Sequence, residues 1–416
     1  MSQSRAITVN LGCRLNASES AAMAALADRN PQPAPVIVNT CAVTREAVRQ
    51  SRQAIRRAAK AHPGRPVVVT GCASEVDPAA FDGMPEVTRL VPNSRKLDPR
   101  QWNLPRTTPA HPRDIDVRAP LAVQNGCDHR CTFCIIPQGR GDARSLPIAE
   151  ACRQAEDLVA RGAQEIVLTG VDLTSWGPDL GDGLALGHLV EALDRHLPDR
   201  IWIRLSSIDG AEIDDRLFDL MTGVKRIAPY AHLSLQAGDD MVLKRMKRRH
   251  SRAQAVELCH RLLSARPEMA FGADLIAGFP TETEEMFRRS LDLIADCGLS
   301  YVHVFPFSAR AGTPAARMPQ LPRELVKARA ASLRTAADAA LGRHLAARVG
   351  TTGTVLVEEI RNGTPRGRLA DFTDVHLPDA SGLQPGARLP CRITGRAARH
   401  LVAAPQSNTS GHQDHV

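Results

Sequence analysis

The stretch Cys127-Asp128-His129-Arg130-Cys131-Thr132-Phe133-Cys134 decides the fold of this chain. Three residues separate its first two cysteines and two residues separate the last two. Three thiolates can hold three irons of a 4Fe–4S cluster and leave the fourth iron without a protein ligand. Such an iron can bind a small molecule and pass it an electron, which side chains alone cannot do. The alternative is a zinc site, but tetrahedral zinc needs a fourth ligand that this segment does not offer.

The bulk composition is that of a multidomain globular protein. A length of 416 residues predicts two or three domains, and a hydrophobic share of 43% is ordinary. No apolar run is long enough to span a bilayer and no secretory signal is visible, so we expect a cytoplasmic protein with no membrane partner. In that compartment ten cysteines favour metal binding or catalysis over disulfides.

The charge balance favours a polyanionic partner. A net charge of +8 and a pI near 9.2 suit a nucleic acid, although aromatics are too scarce, at 3%, for a broad base-stacking platform. The basic run Lys244-Arg-Met-Lys-Arg-Arg-His250 has the density of a phosphate-binding patch, with a solvated helix face as the equal alternative.

The first region, residues 1–118, predicts a small Rossmann-like domain. Short apolar strands begin at Ile7, Val36 and Val67, and a basic helical pattern runs from Glu46 to His62. Strands that alternate with helices predict a parallel sheet covered by helices. Residues 105–120 are rich in proline and charge and indicate a linker.

The second region, residues 119–322, predicts a partial (β/α)6 barrel. Six short apolar strands begin near Leu121, Glu165, Ile201, His232, Phe271 and Tyr301. In β/α barrels the chemistry lies at the C-terminal ends of the strands, and the cysteine triplet directly follows the first strand.

The third region predicts a connecting helix followed by a small antiparallel β-barrel. Residues 323–350 are rich in alanine and arginine and indicate one long helix. Residues 351–404 alternate between short strands and glycines. The polar tail, residues 405–416, is expected to be disordered. The fold class is therefore α/β with three successive domains.

Three more cysteines share one local setting. Cys13, Cys41 and Cys72 each follow a predicted strand of the first region. A parallel sheet brings such strand ends to one edge, which predicts a second three-thiolate cluster. The alternative is that they are small buried hydrophobes. The remaining cysteines lie within helical or strand patterns and are assigned to packing: Cys152, Cys259, Cys297 and Cys391.

With these motifs the chain resembles the methylthiotransferases of the radical S-adenosylmethionine superfamily. The resemblance rests on many ordered blocks: LGCRLNASES, VIVNTCAVT, VVVTGCAS, GCDHRCTFCIIPQGRG, LTGVDLTSWG, RLSSID, HLSLQAGDDMVLKRMKRRH, DLIAGFPTETEE and HVFPFSARAGTPAARMP. The third region loosely resembles a TRAM domain, a small RNA-binding barrel. The family's tyrosine-glycine after the second barrel strand is Trp176-Gly177 here.

The resemblance implies two 4Fe–4S clusters and S-adenosylmethionine as cofactors. Cys127, Cys131 and Cys134 would carry the radical cluster, and the other three cysteines the auxiliary cluster. It also implies contacts to S-adenosylmethionine from Thr169, Gly170, Ser206, Ser207, Ile276 and Gly278. Ordinary alternatives are a turn glycine for Gly170, helix capping for the two serines and a core position for Ile276.

Local sequence favours one branch of this family. Asn39-Thr-Cys41 is followed by Ala42-Val43-Thr44, which resembles the branch that acts on N6-threonylcarbamoyladenosine in tRNA. That resemblance implies tRNA as the partner, C2 of the modified adenosine next to the anticodon as the target, and flavodoxin or ferredoxin as a typical electron donor. The alternatives are N6-isopentenyladenosine in tRNA, an aspartate of a ribosomal protein, or an iron–sulfur RNA-binding protein without catalytic activity.

Overall fold

The computed structural model describes residues 5–30, 33–110, 112 and 115–406, and three domains follow one another along them. The predicted disordered tail, residues 405–416, is wrong for its first two residues, because Pro405 ends the last strand and Gln406 N–H donates to Pro390 O at 3.0 Å; the rest lies outside the described residues. No helix of the described residues is long and apolar enough to cross a membrane.

The N-terminal domain is a four-stranded parallel sheet with helices on both faces. Its elements are β1 (Ile7–Asn10), α1 (Arg14–Ala27), β2 (Val36–Thr40), α2 (Arg45–Ala61), β3 (Val67–Gly71), α3 (Cys72–Val76), α4 (Ala79–Asp82) and β4 (Arg89–Leu90). The order is β1-β2-β3-β4. Both central strands are buried along their whole length because a parallel sheet is covered on both faces. Ile37 packs with Met23 of α1, whereas Val38 packs with Ile55 of α2.

The central domain is an open β/α barrel. Its elements are β5 (Arg118–Ala122), β6 (Gln124–Asn125), α5 (Ile136–Arg140), β7 (Arg144–Ser145), α6 (Ile148–Ala160), β8 (Glu165–Thr169), α7 (Leu186–His196), β9 (Trp202–Leu205), β10 (Ser207–Ile208), α8 (Asp215–Gly223), β11 (Tyr230–Gln236), α9 (Asp240–Met246), α10 (Arg252–Ala265), β12 (Ala270–Ala277), α11 (Glu284–Asp296) and β13 (Leu299–Pro306). Parallel pairs run β5-β8-β9 and β10-β11-β12-β13, and Ser206 alone separates β9 from β10.

One long helix joins the barrel to the C-terminal domain. The elements are α12 (Arg323–Arg348), β14 (Thr352–Arg361), β15 (Thr364–Arg368), β16 (Asp374–His376), β17 (Arg388–Arg396) and β18 (Leu401–Pro405). Leu333 of α12 packs into the core of the central domain and Leu345 into that of the C-terminal barrel. The five strands close in the order β14-β15-β16-β18-β17.

The predicted fold class is confirmed, with two differences of detail. The C-terminal barrel is not wholly antiparallel, because β16 and β18 pair in parallel through Val375 and Leu401. The segment predicted as a linker already contains β5, which starts at Arg118 and pairs with β8 from Glu165. Its prolines did not prevent this pairing, since a parallel edge strand tolerates proline.

A phenylalanine of the C-terminal domain reaches the interior of the central barrel. Phe372 has a positive φ of 78° and its ring stacks on Tyr230 of β11 at 4.9 Å. Tyr301 of β13 meets the same ring edge-on at 5.8 Å. Tyr301 also donates a hydrogen bond to Thr373, at 3.0 Å. The C-terminal domain is therefore fixed against the inner face of the barrel strands.

Candidate active site

The Cys127–Cys134 loop is fixed at both ends by backbone hydrogen bonds. Cys127 N–H donates to Gly141 O at 3.1 Å, and Thr132 N–H donates to Met246 O at 3.1 Å. Gly126 opens the loop with a φ of 75°, and a Cβ there would lie 1.8 Å from Asp142 O. Only glycine fits such a close backbone approach. These contacts determine the path of the backbone through the loop.

Burial makes thiolates costly in this loop unless a cation is present. Burial, followed by the charge of Asp172, raises the pKa of Cys127 to about 12. Burial also raises the pKa of Cys134 to about 11. The charges of neighbouring cysteines in the loop raise both pKa values further, so the three thiols lie close enough to influence one another. Iron ligands must be deprotonated, so the donor set fits a cationic cluster that supplies the missing positive charge.

Charged side chains that follow β8, β10 and α9 lie beside His129 of the loop. His129 Nε2 lies 2.5 Å from Asp172 Oδ2, and hydrogen bonds to Asp172 and Glu212 raise the pKa of His129 to about 10. Arg249 bonds to Glu212 at 2.7 Å. His129, Asp172 and Glu212 have donor atoms close enough to hold a metal ion, but here they form hydrogen bonds with one another and with Arg249. The result is a hydrogen-bonded ring of opposite charges beside the cysteines.

The basic run does not form one continuous outer patch. The Arg248 side chain is only 8% exposed; it bonds to Asp209 at 2.8 Å and lies 3.8 Å from Cys131 Sγ. His250 is buried, whereas Lys244 and Lys247 face solvent. The prediction of a phosphate patch therefore applies only to the exposed lysines and Arg249, because β11 and the cysteine loop take up the rest.

Four of the residues expected to contact S-adenosylmethionine lie at the ends of β8 and β9. Ser206 Oγ is buried and has no hydrogen-bond partner among the described residues, which fits a hydroxyl that awaits a ligand. Ser207 begins β10 beside it. Thr169 Oγ1 instead donates to Val167 O at 2.9 Å. Gly170 lies against Gln124, where a Cβ would come within 2.9 Å of Oε1.

The other two of these residues end β12. Ile276 is 8% exposed and packs in a small apolar cluster that Phe133 of the cysteine loop joins. Gly278 has a φ of 74° and donates its N–H to Glu282 at 3.1 Å. A Cβ on Gly278 would lie 2.7 Å from Val326 of α12, so helix packing alone explains this glycine.

The second cysteine set gathers at one edge of the N-terminal sheet. Cys13 precedes α1, Cys41 follows β2, and Cys72 opens α3 directly after β3. Their charges interact, with Cys72 and Cys13 both raising the pKa of Cys41 after the larger effect of burial. Asn93 Nδ2 lies 3.9 Å from Cys72 Sγ. The parallel register that brings Thr40 beside Gly71 is what collects these thiols.

The two cysteine sets meet across α5. Gly139 lies five residues after Cys134, and a Cβ on Gly139 would be 3.1 Å from the Cβ of Cys72. Asn93 also donates to Gly139 O at 2.5 Å. The helix α5, which leaves the Cys127–Cys134 loop, thus rests directly on Cys72, and a side chain larger than glycine at position 139 would press against it.

A buried charge cluster stabilises this domain contact. The Glu19 carboxylate of α1 forms ion pairs with Lys96 Nζ at 2.5 Å and with the Arg140 guanidinium of α5 at 2.9 Å. Each of these three side chains is 2% exposed. Asn16 also accepts from Arg140. Although burial raises the pKa of Glu19, the charges of Lys96 and Arg140 outweigh it and lower the pKa below its usual value.

Sequence reasoning missed these supporting residues. Gln124, Asn93, Glu19 and Arg140 position the cysteine loops without being ligands. Arg140 and Glu19 do lie within quoted motif blocks, which was the available signal, but their pairing across 121 residues was not visible. Cys259 and Cys297, which were assigned to packing, both lie buried in the core of the central domain.

The inner face of the barrel carries a polar layer below the cysteine loop. Asp274 Oδ1 of β12 lies 3.0 Å from His232 Nε2 and 3.1 Å from His303 Nδ1. His303 is 64% exposed, so water reaches this layer. Tyr230 OH contacts the other ring nitrogen of His232 at 3.0 Å. Although burial raises the pKa of Asp274, hydrogen bonds from the two histidines lower it below its usual value.

Comparison with known proteins matches the N-terminal and central domains to described families. Residues 121–294 match the radical SAM superfamily, and residues 5–91 match the uncharacterized protein family UPF0004. The chain is 46% identical to the threonylcarbamoyladenosine tRNA methylthiotransferase MtaB of Rickettsia prowazekii, over 78% of this chain and 81% of that protein. It is 35% identical to the protein of the same name from Bacillus subtilis, over 76% of each.

Two further comparisons define the breadth of the likeness. The chain is 32% identical to the tRNA-2-methylthio-N(6)-dimethylallyladenosine synthase of Chloroflexus aurantiacus, over 96% of this chain and 91% of that protein. A solved structure of the radical S-adenosylmethionine methyltransferase TsrM from Kitasatospora setae matches with a TM-score of 0.51 at 15% identity. That match covers 76% of this chain and 77% of TsrM, and it supports the fold alone.

Proposed function

Since the chain belongs to the methylthiotransferase family of radical S-adenosylmethionine enzymes, we propose that it methylthiolates C2 of N6-threonylcarbamoyladenosine in tRNA. Two relatives, 46% and 35% identical to this chain, carry the name of that activity. The observation that carries the proposal is the contact of Cys72 with Gly139. It brings the two three-thiolate sets close together, as the reaction would require, because a methylthio group supplied at one cluster must reach a substrate carbon activated at the other.

The family uses two 4Fe–4S clusters and S-adenosylmethionine. When bound, these groups supply the methylthio group and a carbon radical that removes hydrogen from the adenine. We assign Cys127, Cys131 and Cys134 to the radical cluster, and Cys13, Cys41 and Cys72 to the auxiliary cluster. The unpartnered Ser206 hydroxyl supports a place for S-adenosylmethionine at the ends of β8, β9 and β12. Thr169, Gly170, Ser207, Ile276 and Gly278 complete that proposed site.

The protein's own groups orient the reaction and balance its charge. Asp209 holds Arg248, whose guanidinium 3.8 Å from Cys131 Sγ offsets the negative charge of thiolates. Gln124 accepts from the N–H groups of Val171 and Asp172, both at 2.9 Å, and so fixes the loop after β8. Because these partners are already in place, little reorganisation is needed when the ligands bind.

Two partners complete the proposal. The substrate is tRNA that carries N6-threonylcarbamoyladenosine beside the anticodon, and the basic charge of the chain, +8 in total, favours it. Reductive cleavage of S-adenosylmethionine requires an electron, for which we propose flavodoxin or ferredoxin. In this proposal the central β/α barrel carries out the chemistry and the C-terminal barrel contacts the RNA.

The first test is mass spectrometry of tRNA nucleosides from cells with and without this gene. The deletion should remove 2-methylthio-N6-threonylcarbamoyladenosine and accumulate its precursor, and a plasmid copy should restore the product. If this nucleoside is unchanged while the isopentenyl nucleoside or the ribosomal aspartate loses its methylthio group, the proposed substrate is wrong.

The cysteine assignments have a separate test in the purified, reconstituted enzyme. Cys131→Ala should abolish formation of 5′-deoxyadenosine, whereas Cys72→Ala should retain it and yield no methylthiolated tRNA. Cys152→Ala, which changes a thiol in the helical α6, is the matched control and should retain both. Retained cleavage in Cys131→Ala, or normal product from Cys72→Ala, would contradict the respective assignment.

A further inference from the structure

Four guanidinium groups surround the ring of Phe372 inside the central barrel. The Cζ atoms of Arg14, Arg118, Arg204 and Arg368 lie 5.4, 5.1, 5.5 and 4.8 Å from its centroid. They come from all three domains, since Arg14 opens α1, two belong to barrel strands and Arg368 ends β15. This collection of positive charge faces the interior of the barrel.

Three of the four arginines have carboxylate partners. Arg204 bonds to Glu165 at 2.6 Å, and Arg118 bonds to the same carboxylate at 2.8 Å. Arg368 bonds to Glu358 at 2.7 Å and to Asp374 at 3.0 Å. Among the described residues Arg14 has no ion pair and its side chain has no hydrogen bond, so three carboxylates serve three arginines and one cation is left over.

The surplus cation is able to receive an anion from outside. Arg14 is exposed to solvent, and its charge interacts unfavourably with Arg118, Arg368 and Arg204. An anion would relieve this repulsion, and guanidinium binds carboxylates with two parallel hydrogen bonds. The neighbouring inner face of β13 is also open, since Phe305 is 37% exposed and His303 has an exposed ring.

The position of Arg14 ties this anion site to the chemistry. Arg14 directly follows Cys13, and adjacent Cα atoms are about 3.8 Å apart. An anion on the Arg14 guanidinium would therefore lie within one arginine side-chain length of the backbone next to the cysteine to which we assign the auxiliary cluster. The group that receives sulfur must be close to the same place.

Resting on the proposed function, we propose that Arg14 binds the carboxylate of the threonyl group on N6 of the substrate adenosine. That nucleoside carries a free carboxylate, whereas an isopentenyl group in its place is apolar. Arg14 would then be the residue that selects a charged N6 substituent. A phosphate of the anticodon loop is the other anion of the same substrate, but Arg14 faces an aromatic ring within the barrel, where a base and its substituent fit better than the sugar–phosphate backbone.

The test uses anticodon stem-loop RNAs that differ in one group. One carries N6-threonylcarbamoyladenosine and the other the same nucleoside with its carboxylate converted to the uncharged amide. Reconstituted wild-type enzyme should prefer the acid by about 10- to 100-fold in kcat/KM, the range expected for one hydrogen-bonded ion contact. Arg14→Gln should lose this preference, with a ratio near one, and Arg14→Lys should keep part of it.

The controls separate binding of the carboxylate from damage to the neighbouring cluster. Because the acid-to-amide ratio is measured within each variant, the fraction of active enzyme cancels; iron content and substrate-free cleavage of S-adenosylmethionine monitor the clusters. Arg56→Gln removes the same charge from an exposed face of α2 and should keep the wild-type ratio.

Three outcomes would overturn the proposal. A wild-type ratio retained in Arg14→Gln would show that Arg14 does not contact the carboxylate. If wild type shows no preference for the acid and Arg14→Gln lowers kcat/KM equally on both RNAs, Arg14 binds a phosphate instead. If wild type converts neither RNA but methylthiolates the isopentenyl nucleoside, the proposed function itself fails, and that result is distinct from the other two.

Discussion

Removal of the Glu19 carboxylate should strongly destabilise the contact between the N-terminal domain and α5. Glu19→Gln keeps the shape of the side chain but leaves Lys96 and Arg140 as two buried cations, each 2% exposed. At an effective dielectric constant of about 20, attractions over 2.5 and 2.9 Å are each worth about 6 kcal/mol before desolvation. After the carboxylate's own desolvation is subtracted, we expect a net loss of about 3–5 kcal/mol.

A second substitution should partly restore this stability. Lys96→Met alone leaves the Glu19–Arg140 pair intact and should cost about 1.5–3 kcal/mol. In the double variant Glu19→Gln/Lys96→Met only one buried cation remains, and Arg140 keeps Asn125 as a partner at 2.9 Å. The double variant should therefore be more stable than Glu19→Gln alone, with a coupling energy of about 1–3 kcal/mol.

Hydrogen–deuterium exchange of the α1 peptides in urea, performed without oxygen, measures this local stability. It separates the N-terminal domain from the other two, which need not unfold together. Peptides from the C-terminal barrel serve as the internal reference and should exchange alike in all variants. The reasoning is refuted if the unfolding free energy of the α1 peptides in Glu19→Gln is within about 1 kcal/mol of the wild-type value. It is also refuted if the loss in the double variant equals the sum of the losses in Glu19→Gln and Lys96→Met.

Three other variants test separate features of the fold and of the loop. Burial raises the pKa of Glu282 to about 7, and the charge of Arg329 offsets this only in part. The contribution of Glu282 to stability is therefore full below the ordinary glutamate pKa and is lost as the pH rises through about 7. In urea titrations the free energy of unfolding of the wild type should fall by about 3 kcal/mol between about pH 4.5 and 7, and Glu282→Gln should remove most of this fall. Gly278→Ala should lower the free energy of unfolding by about 1–3 kcal/mol, because Gly278 has a positive φ and a Cβ there would lie 2.7 Å from Val326. In the control Gly342→Ala in α12 a Cβ meets nothing within 4 Å, so the same urea titration should show no change or a gain of up to about 1 kcal/mol. Equal effects of the two substitutions would contradict this account. Gly126→Ala should displace Asp142 and reduce the iron bound after reconstitution from the content of two clusters toward that of one, and an unchanged iron content would show that the loop tolerates the side chain.

The features predicted well from sequence were those set by local periodicity and spacing. The runs Val36–Thr40 and Val67–Gly71 each begin with three consecutive apolar residues, and the structure buries every residue of both. The spacing of Cys127, Cys131 and Cys134 is a property of one loop, and its position after β5 follows from the order of strands in a β/α barrel. Such features depend on neighbours in the chain and can be read without a three-dimensional model.

The features that escaped prediction depend on pairs that are distant in sequence. The contact between Gly139 and Cys72 and the ion pairs of Glu19 join separate domains, and a single sequence carries no sign of which residues meet. The basic run was misjudged for a related reason. Its charge density suggested an outer surface, but Asp209 draws Arg248 inward and compensates it locally. The parallel pair of β16 and β18 likewise depends on closure of the barrel, which strand patterns do not encode.

The insertion of Phe372 between the other two domains has a consequence for how such proteins can recombine. A C-terminal barrel that contacted the rest of the chain only through α12 could be exchanged between relatives as an independent domain. Here its loop meets Arg14 of the first domain and Arg204 and Tyr230 of the second. A chimaera that exchanges this barrel inherits a foreign residue at the centre of the molecule, so compatible pieces must bring matching partners with them.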